Sequence, residues 1–254
     1  IQVFHVPEKL TAMQATLQAA PTIDFLVVVS FGYLIPAWLL ELPRVAPVNV
    51  HPSALPLYRG SSPGQFVLLY GEAQSAVSIM KMNTKFDQGA VIERLPITVS
   101  PLETQSSYYD KAFELAADKL PQALQVFADN GNATTQAPPP ADSPLARKLS
   151  REDGYIPYEI MQAALAGQTT MPTTATKLGP VLAELYQHQP SLTPTQLVDR
   201  AVRALTPWPG VWTTIPEYKD KTNVRQKVLA GTISQNRYHP TLIQYEGEAV
   251  KKLE

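Results

Sequence analysis

The sequence predicts an α/β fold with an open sheet, followed by a smaller antiparallel β-barrel-like domain. Three observations point there. Strand-like apolar runs alternate with helical patterns as far as Phe127. A proline-rich stretch without apolar period then interrupts the chain, and short β-rich pieces dominate beyond Val211. At 254 residues the chain is long enough for two domains, each burying a core of its own.

The elements follow in order. Residues 1–10, IQVFHVPEKL, read as a short extended segment running at once into a helix-like stretch. In residues 24–34, DFLVVVSFGYL, a continuous apolar run predicts a parallel strand covered on both faces, and residues 35–42 a short helix. Residues 47–51 form a second brief strand. After it comes a loop rich in breakers, HPSALPLYRGSSPGQ, from which Pro63 starts a helix through Leu69. The segments SAVSIMKMN and VIERLPITV read as strands on either side of the turn TKFDQGA. Thr104 caps a long helix through Phe127, which Pro121 should kink or divide. In such a sheet, ligands bind at the carboxyl ends of strands near a switch in strand order, and His51 lies at one such end.

The domain boundaries expected are 1–130 for the α/β domain, 131–143 for an extended linker containing three consecutive prolines, and 144–254 for the second domain. That second part opens with a helix near residues 158–166 and a Thr/Pro-rich interruption, QTTMPTTAT. A helix capped by Thr193, with Pro194 in its first turn, ends before TPWPG. The pieces VWTTI, RQKVLAGTIS and TLIQYEG suit a small antiparallel barrel. The corner at Trp208, Pro209 and Gly210 is expected to pack into the core.

Composition narrows the chemistry. The absence of cysteine excludes thiolate zinc sites, cysteine nucleophiles and disulfide scaffolds. With 21 Lys plus Arg against 22 Asp plus Glu, the chain lacks the basic balance of many nucleic-acid binders, so any RNA contact must be a local patch. From Leu197 onward nine Lys or Arg face six Asp or Glu, which permits such a patch. No run approaches the roughly 18 apolar residues of a membrane span, and the opening residues lack the charged-then-apolar pattern of a signal peptide. A cytoplasmic protein with no membrane and no DNA partner is expected. His5, His188 and His239 lack partners at ligand spacing, so no metal is expected either.

The densest chemistry lies at Asn49 and His51, with Asp87 on the turn after the next strand. In an extended segment, residues two apart project to one side, so the Asn49 amide and the His51 imidazole can face one cleft. Asp87 reaches them if its turn lies alongside. Together they supply an amide donor for a developing oxyanion, an imidazole for proton transfer and a carboxylate to orient it, the parts needed for acyl transfer to an amine. Singly, each has an ordinary explanation, His51 as the end of a strand and Asp87 as a turn residue.

The run NVHPSALPLYRGSSP resembles the signature of folate-dependent formyltransferases, and FDQGAVI resembles that family's aspartate loop. The resemblance continues through DFLVVVSFGYLIP, LARKLSREDGYI and ALTPWPGVWTTI, where the pattern looks like methionyl-tRNA formyltransferase. It implies a Rossmann-like catalytic domain and an OB-like carboxyl-terminal barrel that helps hold initiator methionyl-tRNA. It implies 10-formyltetrahydrofolate as donor, and Asn49, His51 and Asp87 as catalytic residues. The loop Ser53, Ala54, Leu55 and Pro56 would lie against the pteridine, with Ala54 in place of the family's usual leucine. In the implied mechanism, Asn49 and protonated His51 stabilise the tetrahedral oxyanion while Asp87 holds His51. An aspartate nearby raises an imidazole pKa and burial lowers it, so the sequence leaves the charge of His51 open.

Family members begin with a strand, a Gly-Thr-Pro-type turn, a helix and another strand before the segment resembling residues 1–10. The α/β domain is therefore expected to be N-terminally incomplete, with uncovered apolar strand surface. Residues 157–190 are expected to be longer than the family's connection there. The readings that compete with transfer to methionyl-tRNA are formyl transfer to an amino sugar, hydrolysis of the donor, and an inactive remnant that binds RNA or a partner.

Overall fold

The computed structural model describes residues 10–32 and 34–253, and the expectations for residues 1–9, His5 among them, lie outside these. The chain forms two compact units. The first comprises residues 1–63, 75–97 and 112–146, the second residues 64–74, 98–111 and 147–254.

The first unit is built on a mixed four-stranded sheet. Strands β1 (Phe25–Val29), β2 (Ala46–His51), β3 (Gln74–Lys81) and β4 (Val91–Thr98) lie side by side in sequence order. β1 and β2 are parallel, whereas β2 and β3 are antiparallel, with His51 opposite Ser78. The expected switch in strand order is thus not present among the described strands. Chain length explains part of this: a parallel neighbour needs a crossover of about a dozen residues or more, which residues 30–45 supply and the short turn between β3 and β4 does not.

Val48, Val50, Val77, Ile79 and Met80 of the two central strands are almost wholly buried, and Leu55, Met80 and Val91 form a packed cluster beside them. On β1 the expected cover on both faces is missing among the described residues: Val27 is 38% exposed and Val29 45%. After the short helices α1 (Gln14–Gln18), α2 (Ala37–Leu40) and α3 (Pro63–Tyr70), the long helix α4 (Gln105–Asn130) buries Ala112, Ala116, Ala123 and Phe127, spaced as one helical face. It is not divided at Pro121. That proline leaves the carbonyl of Ala117 without its helical donor, but both residues are exposed, where water can serve instead.

In the second unit Thr104 caps α4 as expected, accepting from the Ser107 N–H at 3.2 Å. Helix α5 (Tyr158–Ala166) ends at Gly167 in the left-handed conformation, with φ 70°. Thr193 and Gln196 form a capping box on α7 (Pro194–Leu205). Between them lies helix α6 (Pro180–His188), inside residues 157–190. The second sheet is wholly antiparallel: β5 (Val211–Tyr218), β6 (Lys221–Ser234), β7 (Arg237–Tyr245) and β8 (Lys251–Lys252) in that order. Its β6–β7 turn places Gln235 and Asn236 at positive φ, which suits a two-residue hairpin. Helices α5 and α7 pack on this sheet.

The carboxylate of Asp153, wholly buried, ties the start of this unit together. It accepts from both terminal nitrogens of Arg147, from the N–H and hydroxyl of Ser150, and from the Val181 N–H at the start of α6. Trp212 donates to the Arg151 carbonyl at 2.9 Å. Trp208, expected in the core, is half exposed.

Candidate active site

Strand β2 brings the first two candidate residues together. Asn49 and His51 stand two apart on the same strand, Asn49 half-buried and His51 only 3% exposed. Asp87 comes from the loop between β3 and β4 and is 8% exposed. All three meet: Asn49 Nδ2 is 3.4 Å from Asp87 Oδ1, and His51 Nδ1 is 3.8 Å from Asp87 Oδ2.

The partners of these groups define their chemistry. His51 Nε2 is 3.1 Å from the carbonyl oxygen of Tyr58. A carbonyl only accepts, so Nε2 carries the proton, and in the neutral ring Nδ1 holds the free lone pair, turned toward Asp87. Asp87 is itself held by the Gly60 N–H, which donates to Oδ2 at 2.9 Å. Burial depresses the His51 pKa more than Asp87 and the Tyr58 carbonyl raise it, so the net direction is downward. Burial thus favours the neutral imidazole, a charge that the sequence left open. The Asp87 carboxylate faces Nδ1 at 3.8 Å, beyond hydrogen-bond distance, and the ring's direct hydrogen bond is to the Tyr58 carbonyl.

The loop that supplies these partners needs unusual backbone. Tyr58 sits at φ 56° and Gly60 at φ 133°. A β-carbon at Gly60 would lie 2.2 Å from the Ala146 carbonyl oxygen, so only glycine fits. Ala146 in turn donates to the Arg59 carbonyl at 2.7 Å and accepts from the Ser62 N–H at 2.9 Å. Asp87 also adopts positive φ, 51°.

Residues 53–56 are fixed by Ser78 on β3. Its hydroxyl donates to the Ser53 carbonyl at 2.7 Å and accepts from the Leu55 N–H at 3.1 Å. Arg94 donates to the Leu55 carbonyl at 3.0 Å, and the Ser53 hydroxyl to the Leu57 carbonyl at 2.8 Å. The side chains of Ser53 and Leu55 are buried, and Ala54 and Pro56 are half-buried. The apolar surface this loop can offer a ligand therefore comes from Ala54 and Pro56.

Sequence reasoning missed the Tyr58 carbonyl, the Gly60 N–H, Ser78 and Gln136. Backbone groups leave no trace in residue identity; the glycine at position 60 was the one available signal. Arg59 donates to Gln136 Oε1 at 3.2 and 2.8 Å. His188 and His239 contact the backbone carbonyls of Glu184 and Ser234.

On the second sheet, Arg225, Lys227, Gln244, Tyr245, Glu246 and Gly247 line an open cavity of about 210 Å³. Cations of this region have partners: Arg203 pairs with Asp199, Lys219 and Lys251 with Glu248, and the Arg225 guanidinium lies 4.6 Å from the centre of the Trp212 ring. No described helix is long and apolar enough to cross a membrane.

Residues 6–124, the stretch that holds Asn49, His51 and Asp87, match the family model described as Formyl transferase. Among solved structures, the chain is similar to methionyl-tRNA formyltransferase from Clostridium thermocellum, at 14% identity and a TM-score of 0.56, over 91% of this chain and 78% of that one. An uncharacterised Mycobacterium tuberculosis protein, named as a candidate sugar N-formyltransferase, is similar at 18% identity and a TM-score of 0.52, over 84% of this chain and 78% of that one. HypX from Aquifex aeolicus, solved in complex with tetrahydrofolic acid, matches at 16% identity and a TM-score of 0.56. That match covers 96% of this chain but only 39% of HypX. At these identities the likenesses establish the fold.

Proposed function

We propose that this protein transfers a formyl group from 10-formyltetrahydrofolate to the α-amino group of initiator methionyl-tRNA, with Asn49, His51 and Asp87 as its catalytic residues. The observation that carries the reading is the convergence of these three side chains, from β2 and the β3–β4 loop, inside the segment that matches the formyl transferases. The acceptor is inferred from the methionyl-tRNA formyltransferase pattern of LARKLSREDGYI and ALTPWPGVWTTI, and from the likeness to the Clostridium enzyme over nearly the whole chain.

The geometry suggests how the chain would act. Neutral His51 offers its Nδ1 lone pair to the attacking amine, takes its proton as the new N–C bond forms, and returns that proton to N10 of the donor as the old N–C bond breaks. Asn49 Nδ2 donates to the oxygen that gains charge in between. Asp87 stabilises His51 while the ring is charged, and the Tyr58 carbonyl keeps Nε2 from competing for the proton. The half-buried Ala54 and Pro56, on a loop pinned by Ser78, would hold the flat pterin. The second unit, in its OB-like reading, would meet the RNA backbone through Arg225 and Lys227 beside Tyr245.

The test is single-turnover formylation, with methionyl-initiator-tRNA, an amino-sugar nucleotide and water offered in turn as acceptors. Transfer to the tRNA that is lost in both His51→Ala and Asp87→Asn is the expected result. Transfer to the amino sugar instead would replace the acceptor and keep the site, a reading that the likeness to the Mycobacterium protein favours. No transfer to any acceptor and no turnover of the donor would sink the proposal.

A further inference from the structure

Gln136 lies in the stretch expected to be an extended linker. Residues 131–135, 137 and 138 around it are exposed, and Gln136 is half-buried. Val91 and Thr134 exchange backbone hydrogen bonds at 2.8 and 2.7 Å, which holds this stretch against β4 and aims the carboxamide two residues later at the site. Gln136 Nε2 donates to the carbonyls of Asp87 at 3.1 Å and Gly89 at 2.7 Å, while Oε1 accepts twice from Arg59. Both ends of one amide are thus in use, and each end grips a different loop.

Those are the two loops that make the site. The one at residues 58–60 supplies the carbonyl that orients His51 and the N–H that holds Asp87. The other carries Asp87 at φ 51°, a conformation that costs a non-glycine residue about 1 kcal/mol or more and persists only when its surroundings impose it. Gln136 bonds the carbonyl of that same strained residue. It also occupies the Gly89 carbonyl, next to a position where a β-carbon would lie 1.7 Å from the Lys81 oxygen.

We propose that Gln136 is a positioning residue: its carboxamide clamps the Asp87 loop to the Tyr58–Gly60 loop and thereby sets the separation of Asp87 Oδ2 from His51 Nδ1. This rests on the reading of His51 and Asp87 as catalytic, but the clamp makes a claim about geometry that can be read without turnover. Gln136→Met keeps the length of the side chain and removes all four hydrogen bonds. With the clamp gone, Asp87 drifts from Nδ1 and the His51 titration midpoint falls.

The experiment is a double-mutant cycle on the full chain, with the His51 midpoint followed by imidazole NMR in the parent, Gln136→Met, Asp87→Asn and the pair. The clamp predicts a lower midpoint in Gln136→Met and no further drop when it is added to Asp87→Asn. A midpoint unmoved in Gln136→Met, or two shifts that simply add, overturns it, whatever happens to melting temperature. Turnover is then measured separately: a misplaced carboxylate should lower kcat by up to about 10²-fold with the donor KM little changed. If the parent itself fails to transfer formyl groups, the functional reading fails, and the NMR cycle still decides the clamp.

Discussion

His51 Nδ1 faces Asp87 Oδ2 across 3.8 Å, while the opposite ring nitrogen is spent on the carbonyl of Tyr58. The pair is therefore poised rather than joined: the carboxylate contributes little to the neutral ring and much to the charged one. Asp87→Asn should leave the fold intact, since the amide oxygen still accepts from the Gly60 N–H and the amide nitrogen can donate to Asn49 Oδ1 once the Asn49 carboxamide turns over. It should move the His51 midpoint further down and slow single-turnover formyl transfer by about 10²-fold or more. An unchanged midpoint by NMR would show that Asp87 does not act on the ring.

The depressed pKa of His51 has a consequence for stability. The unfolded chain takes up this proton at an ordinary pH near 6.5, before the folded chain does. Stability from this group is complete above about pH 6.5 and declines below it, down to the lowered folded value, with a slope of at most about 1.4 kcal/mol per pH unit. Urea unfolding from about pH 5 to pH 7.5 should show a steeper dependence in the parent than in His51→Gln. Parallel dependences would mean that His51 titrates normally in the fold.

Ser78 stands one strand away from the chemistry, yet fixes both ends of the Ser53–Leu55 turn. Ser78→Ala takes one hydrogen bond from each of the Leu55 N–H and the Ser53 carbonyl, which keep only their mutual contact at 3.0 Å, at a cost of about 1 kcal/mol in denaturant unfolding. Because the loop rather than the trio is loosened, KM for the formyl donor should rise more than kcat falls. The opposite split would place Ser78 with the catalytic groups.

Asp153 tests the second unit independently. Burial alone would raise its carboxyl, but hydrogen bonds from Arg147 and Ser150 outweigh it and hold the group below the ordinary carboxylate range. Its contribution is present above about pH 4 and lost as pH falls through the lowered folded value. Asp153→Ala should cost about 3 to 5 kcal/mol, by stranding the buried N–H of Val181 and half of the Arg147 fork. Thermal unfolding measures this, and a loss under about 1 kcal/mol would mean that the network is replaceable.

What the sequence determined by itself was whatever depends on neighbours along the chain. Pro63, Thr104 and the Thr193–Pro194 pair announce helix starts because caps act within one turn. The two-residue period of β2 put Asn49 and His51 on one side before any fold was known. Tertiary structure decided what depends on residues far apart. The order and direction of the strands, the exposure of Val27 and Val29, and the continuity of α4 through Pro121 all follow from which surfaces meet. So does the charge of His51: burial and a nearby carboxylate oppose each other, and only the enclosed position of the ring shows that burial is stronger. The groups that hold the trio, the Tyr58 carbonyl, the Gly60 N–H and the Gln136 amide, act through space across loops. Two of them are backbone, chemically alike at nearly every residue, so no reading of side chains along the chain could have singled them out.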